Sequence, residues 1–237
     1  MSISIKVSDD VFSKFPNYRR GVVIAHDIVN GTSPTDLITS LRDAENALCQ
    51  QLTSEALLLH PCIASWRETY RSLGIKPSEF RPSMEALVRR VIKKDPLPAI
   101  SKVVDLGNLV SIQNLIPIGA HAIDQLTDDM DLRLATGDEI FEPFGADLVE
   151  HPSAGEIIFA EGNIVLTRRW TWRQSKHTLI LPETTAVEFN VDALPLISDE
   201  EVERICGDIT ALMEKYCGGR ISYGILSKDN PIIKLAD

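Results

Sequence analysis

At 237 residues, 44% hydrophobic and 24% charged with a formal net charge of −10, the chain has ample apolar material for one large buried core. No apolar run approaches the roughly 20 residues of a membrane span, and residues 1–12 lack a basic-then-apolar leader pattern. The composition therefore excludes a helical membrane protein, points to the cytoplasm, and argues at first against nucleic acid, whose phosphates draw on Lys and Arg.

The distribution of charge softens that last exclusion. Residues 60–94 carry eight Lys/Arg against three Asp/Glu, residues 163–177 carry four Lys/Arg and no acid, and residues 121–161 hold eleven acids and one Arg. Two basic surfaces, or a solvated mixed-charge surface, are both compatible with this pattern. The four cysteines (Cys49, Cys62, Cys206, Cys217) lack CxxC spacing and three fall on apolar helix faces, which predicts free thiols and no metal.

In chain order, residues 2–7 alternate and residues 21–29 form a β-branched run, predicting two strands. Ser33 as N-cap and Pro34 at the first helical position open a helix with Leu37, Leu41, Ala44 and Leu48 on one stripe. A second helix over 61–73 aligns Ile63, Trp66 and Tyr70, with Arg67 and Arg71 on the neighbouring face, and Gly74 ends it. Ser83 reads as the N-cap of a helix over 84–93 that ends in Arg89, Arg90, Lys93 and Lys94, a placement its dipole favours. A further helix over 101–114 sets Asn108 on a largely apolar stripe with Val104 and Ser111 or Ile112. A buried amide costs about 1–3 kcal/mol unless bonded, so Asn108 is either a structural joint or a ligand-reading group. The second half reads as strands at 132–135, 155–160, 164–168, 178–181 and 185–191, followed by a helix capped by Ser198 and Glu201 and a final strand. The fold class is thus α+β, with mixed sheets layered against helices. The chain divides as a single domain with a strand-strand-helix unit at 1–54, a core at 55–195 and a helix and strand at 196–237.

No P-loop, GxGxxG, HExxH or GxSxG occurs, so nucleotide hydrolysis, Rossmann cofactor binding, zincin and α/β-hydrolase chemistry lack their signals, and no cofactor is expected. What remains is a polar set, Asp105, Asn108, His121 and Asp124, and the basic-aromatic run Arg168-Arg169-Trp170-Thr171-Trp172-Arg173-Gln174-Ser175-Lys176-His177. Read as a strand, that run puts Trp170 and Trp172 on one face and Arg169 and Arg173 on the other. The indoles are either stacking platforms for RNA bases or core.

These residues carry a resemblance. Val103-Val104-Asp105-Leu106-Gly107-Asn108, then Pro117 and His121-Ala122-Ile123-Asp124, resembles the VVDxxN…PxHAFD stretch of the tRNA-binding and editing domain in the bacterial phenylalanyl-tRNA synthetase beta chain. The chain is still more similar to freestanding relatives of that domain, which carry HPxIxxWRxxY, RxSxEALxRR and WxWRQ; these match at 60–70, 81–90 and 170–174. The resemblance implies the layered fold of that domain over residues 55–195 and hydrolysis of an amino acid wrongly esterified to tRNA. It also implies that Asn108 and His121 are the catalytic residues of the pocket, His121 orienting the water or substrate and Asn108 holding the amino acid. Asp105, Ser111, Asp124, Trp170, Trp172, Arg173, Gln174 and Asn190 are the other expected pocket residues. Counting from Thr184, the family's later glutamate falls near Asn190, with Glu188 the nearest acid, and the family's glycine-rich loop is occupied by Trp170 to Arg173, which predicts a smaller pocket. Arg168, Arg169, Lys176, Arg67 and Arg71 are the expected RNA contacts. Two rival functions stay open: an RNA-binding module without catalysis, and a small-molecule enzyme or sensor without RNA contact, which the charge of −10 favours.

Overall fold

The computed structural model describes residues 3–146 and 148–235. In order, the elements are β1 (Ser4–Val7), α1 (Asp9–Lys14), β2 (Arg19–His26), α2 (Thr35–Gln51), a 3-10 turn (Leu57–Leu59), α3 (Pro61–Ser72), α4 (Ser83–Ile92), α5 (Lys102–Asn114), β3 (Ile118–Ala122) and β4 (Met130–Leu134). After a long connection come β5 (Ile157–Glu161), β6 (Ile164–Arg168), β7 (Arg173–Gln174), β8 (Val187–Ala193), α6 (Asp199–Tyr216), β9 (Arg220–Leu226) and β10 (Ile232–Lys234). The architecture is α+β with two sheets, ordered β10-β1-β4-β5-β6-β7 and β3-β8-β2-β9. The first is mixed, since β1 runs parallel to β4; the second is antiparallel throughout.

The two faces of the four-stranded sheet are assigned by period-2 alternation. On one face Gly21 lies against Cys206 and Val202 of α6, so close that an added Cβ would fall 2.5 Å from the Cys206 sulfur, and Phe189 lies against Gly107 of α5. On the other face Arg20 packs over the ring of Phe159 in β5 at 4.1 Å. The helices therefore cover one side and the six-stranded sheet the other. β8, VEFNVDA, is buried at all seven positions: Val187, Phe189, Val191 and Ala193 face the helices, while Glu188, Asn190 and Asp192 face the second sheet. A seam of polar side chains is thereby enclosed between the sheets. Residues 1–54 are interleaved with the rest, because β2 lies between β8 and β9. One contiguous set of buried apolar side chains runs from Ile5 to Leu235.

Several elements depart from expectation. The first strand begins at Ser4, and Ser2 lies outside the described residues. α2 starts at Thr35 with Pro34 as N-cap, because the Ser33 hydroxyl donates instead to Asp105 at 2.6 Å. α4 includes Ser83, whose N–H bonds the Thr171 carbonyl at 2.8 Å, and Pro82 precedes it. Residues 178–181 form a loop rather than a strand; the Thr178 carbonyl there accepts from the Ala122 N–H at 3.0 Å and from Gln174 at 3.1 Å. The run 168–177 is a tight hairpin, not a continuous strand. Arg169 and Trp170 both have positive φ (47° and 65°), which reverses the chain so that β7 pairs back on β6. Each such residue costs on the order of 1–3 kcal/mol, which the burial of Trp170 against Phe15, Tyr18 and Trp66 offsets.

Candidate functional site

The seam between the sheets opens into a cavity of about 220 Å³. Its walls come from four places: Ile118, Gly119 and His121 on β3; Asn190 and Asp192 on β8; Thr167 on β6; and the turn from Trp170 through Thr171, Trp172 and Arg173 to Gln174. Ser83, the first residue of α4, completes the lining and brings the positive end of that helix to the cavity. Gly119 is required by its cross-strand partner Asn190, since a Cβ there would lie 2.6 Å from Asn190 Oδ1.

His121 is locked in place. Its Nδ1 is 2.7 Å from Thr178 Oγ1 and its Nε2 is 3.4 Å from Thr167 Oγ1. Gln174 Nε2 donates to the carbonyls of Ala120 at 2.9 Å and Thr178 at 3.1 Å, and lies 3.3 Å from His121 Nδ1. Burial, aided by the charge of Arg20, pulls the imidazole pKa down to about 3. At neutral pH His121 is therefore uncharged and a weak base, suited to orienting a ligand or a water more than to removing a proton.

Behind it lies a buried charge cluster. Tyr18 donates a hydrogen bond to Asp192, and Arg20 Nη1 reaches the same carboxylate at 3.0 Å. Arg20 Nη2 is 3.9 Å from Glu188. Burial, with the Asp192 charge adding and Arg20 opposing, pushes the Glu188 carboxyl up to about 8, so it is protonated at neutral pH. Burial also pushes the Tyr18 phenol well up; burial opposes the charge of Arg20, but contacts led by the Asp192 carboxylate outweigh it and keep the guanidinium charged. Asn190 Nδ2 donates to Asp192 at 2.7 Å, which fixes the orientation of its amide and leaves Oδ1 buried with no partner among the described residues. An acceptor without a donor is thereby buried in the cavity wall, over Gly119.

Trp170 and Trp172, expected to share a face, have separate roles. Trp170 is 1% exposed and belongs to the core, while Trp172 packs edge-on against Phe80 at 4.9 Å and under the Arg169 guanidinium at 4.5 Å. Arg173 is half-exposed beside Glu150 at 3.7 Å.

Of the residues singled out from sequence, the fold brings His121, Trp170, Trp172, Arg173, Gln174 and Asn190 to one cavity. Asn108 does not join them. α5 packs on the helix-covered side of the four-stranded sheet, through Gly107 on Phe189, whereas the cavity is on the opposite side. Asp105 is a buried joint that accepts from Ser33 and from the Ile100 N–H at 2.9 Å. Ser111 donates to the Ile116 carbonyl at 2.7 Å, and Asp124 accepts from the Thr185 N–H at 2.9 Å. Among the expected RNA contacts, Arg168 is 5% exposed and held by Glu156 and Glu150, each within 2.9 Å. Lys176 pairs with Glu142 at 3.4 Å, Arg67 with buried Glu85 at 2.8 Å, and Arg71 with Glu68 at 2.9 Å. Arg169 stacks on Phe80 at 3.6 Å. Tyr18, Arg20, Thr167, Thr178 and Asp192 were not singled out from sequence. The alternation of β8 was the one signal for Asp192, because it puts 188, 190 and 192 on a single face.

Among the described residues no group of three or more His, Cys, Asp or Glu side chains is placed to hold a metal ion, and no helix is long and apolar enough to cross a membrane. The four cysteines are free thiols.

The B3/4 domain model matches residues 65–218, which include every cavity residue. The chain belongs to the B3/4 domain family. It is related to the domain of the phenylalanyl-tRNA synthetase beta chain whose motifs it resembles. Among solved structures, this B3/4 chain is similar to an N-terminal fragment of the phenylalanyl-tRNA synthetase beta-subunit from Pyrococcus horikoshii, with 12% identity and a TM-score of 0.49. The match covers 100% of this chain and 55% of that one, so the B3/4 chain spans little more than half of the fragment. No curated protein matches it.

Proposed function

We propose that the protein takes the aminoacyl end of a tRNA into the inter-sheet cavity and hydrolyses the ester of a wrongly attached amino acid in trans. The observation that carries this reading is the cavity: at about 220 Å³ it is smaller than the roughly 300–1,000 Å³ pockets that enclose drug-sized ligands, and it suits one small group. Asn190 Oδ1 is buried in the cavity wall without a partner, and an amino acid whose hydroxyl or ammonium displaces the amide enough to reach it is favoured over an apolar one of equal size. Water adds to the ester carbonyl carbon, the tetrahedral oxyanion collapses, and the ribose oxygen leaves and takes a proton, releasing free amino acid and deacylated tRNA. An ester is activated enough that holding the water and stabilising the oxyanion suffice, so no Ser or Cys nucleophile is needed. His121 and Gln174 orient the reacting group, and Arg173 with the positive end of α4 faces the developing charge.

A second reading, binding of the aminoacyl end without chemistry, is favoured by the weak basicity of His121 and by the threonine hydroxyls set against both its ring nitrogens. A panel of mischarged tRNAs separates the two. The first reading expects at least one tRNA to lose its amino acid well above the rate in buffer. Retention of tRNA on a filter with no accelerated loss supports the second, and neither effect refutes both.

A further inference from the structure

A second concentration of charge lies along α4. Arg81, Ala86, Arg89, Arg90, Lys93 and Asp95 line a cleft of about 320 Å³, four cations against one carboxylate in a chain of net charge −10. Arg90 pairs with Asp95 at 3.0 Å, and Arg89 shares buried Glu85 with Arg67. Among the described residues no carboxylate pairs with Arg81 or Lys93, and both are exposed. The helix dipole accounts for cations at the C-terminal end of α4, but Arg81 precedes its first turn, where the dipole disfavours a positive charge. Arg81 and Lys93, which lack carboxylate partners, raise the local potential for an anion.

The direction of α4 identifies that anion. Its first residue, Ser83, is in the cavity wall, and at a rise of ~1.5 Å per residue Arg90 and Lys93 stand about 10 and about 15 Å along the helix from it. That distance covers about three to four phosphates of one nucleic-acid strand at ~3.4 Å each.

We propose that the Arg81–Lys93 cleft binds the phosphates of the RNA strand whose aminoacyl end enters the cavity. The inference rests on the proposed function and adds the path of the strand across the protein. Phosphate contacts of this kind set position and affinity and carry no sequence information.

The test is fluorescence anisotropy of labelled deacylated tRNA, titrated with the full chain between about 50 and about 200 mM salt. Wild type is compared with Arg81→Ala/Lys93→Ala and with Lys228→Ala, an exposed cation on the β9–β10 connection. Loss of two phosphate contacts lowers the slope of log K against log salt by about 1.4–1.8 and weakens binding roughly twenty-five- to sixtyfold near 0.1 M salt, while Lys228→Ala changes neither. If wild type binds tRNA and the double variant keeps its slope, the cleft proposal falls and the cavity reading stands. If wild type binds no tRNA, the cleft proposal falls, and the mischarged-tRNA panel alone decides the cavity reading. If polyglutamate binds wild type and tRNA does not, the occupant is an acidic peptide and the proposal is overturned.

Discussion

Replacing Glu188 with glutamine changes how stability depends on pH, in a range where a second buried group opposes it. Folded, the Glu188 carboxyl titrates near about 8, held there by burial and Asp192 against the pull of Arg20; its ordinary value is 4.5. Between these values the folded chain keeps a proton that the unfolded chain has lost, so stability falls by about 1.4 kcal/mol per pH unit. His121 has the opposite sign. Its folded pKa of about 3 lies below the ordinary 6.5, so between those values the unfolded chain binds the extra proton and stability rises with pH at the same rate. From pH 4.5 to 6.5 the two slopes cancel, and from 6.5 to 8 only the Glu188 slope remains. Wild type then loses about 2 kcal/mol, which for a chain of this size lowers Tm by about 4–8 °C. The Glu188→Gln carboxamide has a similar shape and stays neutral throughout. The variant gains about 2.7 kcal/mol between pH 4.5 and 6.5 and holds it up to pH 8. Thermal unfolding followed by circular dichroism at half-unit pH intervals reads both curves. A variant whose Tm parallels wild type above pH 6.5 refutes the assignment of a buried, protonated Glu188.

Gly119→Ala drives a Cβ toward Asn190 Oδ1 and displaces the amide from Asp192; unpairing buried polar groups costs about 1–3 kcal/mol, read as a lower denaturant midpoint. Trp170→Ala removes a fully packed core ring and costs about 3–5 kcal/mol by the same assay. Trp172→Ala, which loses mainly its contacts with Phe80 and Arg169, costs about 0.5–1.5 kcal/mol; under the proposed function it also raises KM for aminoacyl-tRNA in the deacylation assay. Glu85→Ala leaves Arg67 and Arg89 facing each other without their shared carboxylate and costs about 3–5 kcal/mol in chemical denaturation.

The helices were legible in the sequence because their cores repeat at 3.6 residues: Ile63, Trp66 and Tyr70 are buried in α3, and Val202, Ile205, Ile209 and Met213 in α6. Strands were legible one at a time, but not which sheet face each side chain joined. β8 alternates apolar and polar, a pattern that ordinarily means one wet face, yet both faces are buried because a second sheet covers the polar one. That long-range layering created the cluster of Arg20, Glu188 and Asp192, and it also separated Asn108 from His121, which a linear motif sets side by side. The hairpin at 169–170 escaped prediction for a local reason. Positive φ at Arg and Trp has no sequence signal of the kind Gly or Asn supplies, and the turn is held by long-range contacts: the buried Trp170, the Tyr70 hydroxyl on the Arg169 carbonyl at 2.7 Å and the Ser83 N–H on the Thr171 carbonyl at 2.8 Å. Charge runs were visible in the sequence, whereas their partners were not: Arg168 reads as an open cation until Glu150 and Glu156 fold back on it.

Under the proposed function the inter-sheet cavity receives an aminoacyl group and its ester is cleaved there. The first-order rate of amino-acid loss from each mischarged tRNA, with wild type and with Asn190→Leu at equal concentration, tests it most directly. Wild type is expected to accelerate loss from at least one tRNA whose amino acid carries a side-chain hydroxyl or ammonium, and Asn190→Leu to lose that acceleration. Rates equal to buffer across the panel, or an Asn190→Leu protein as active as wild type, would contradict it.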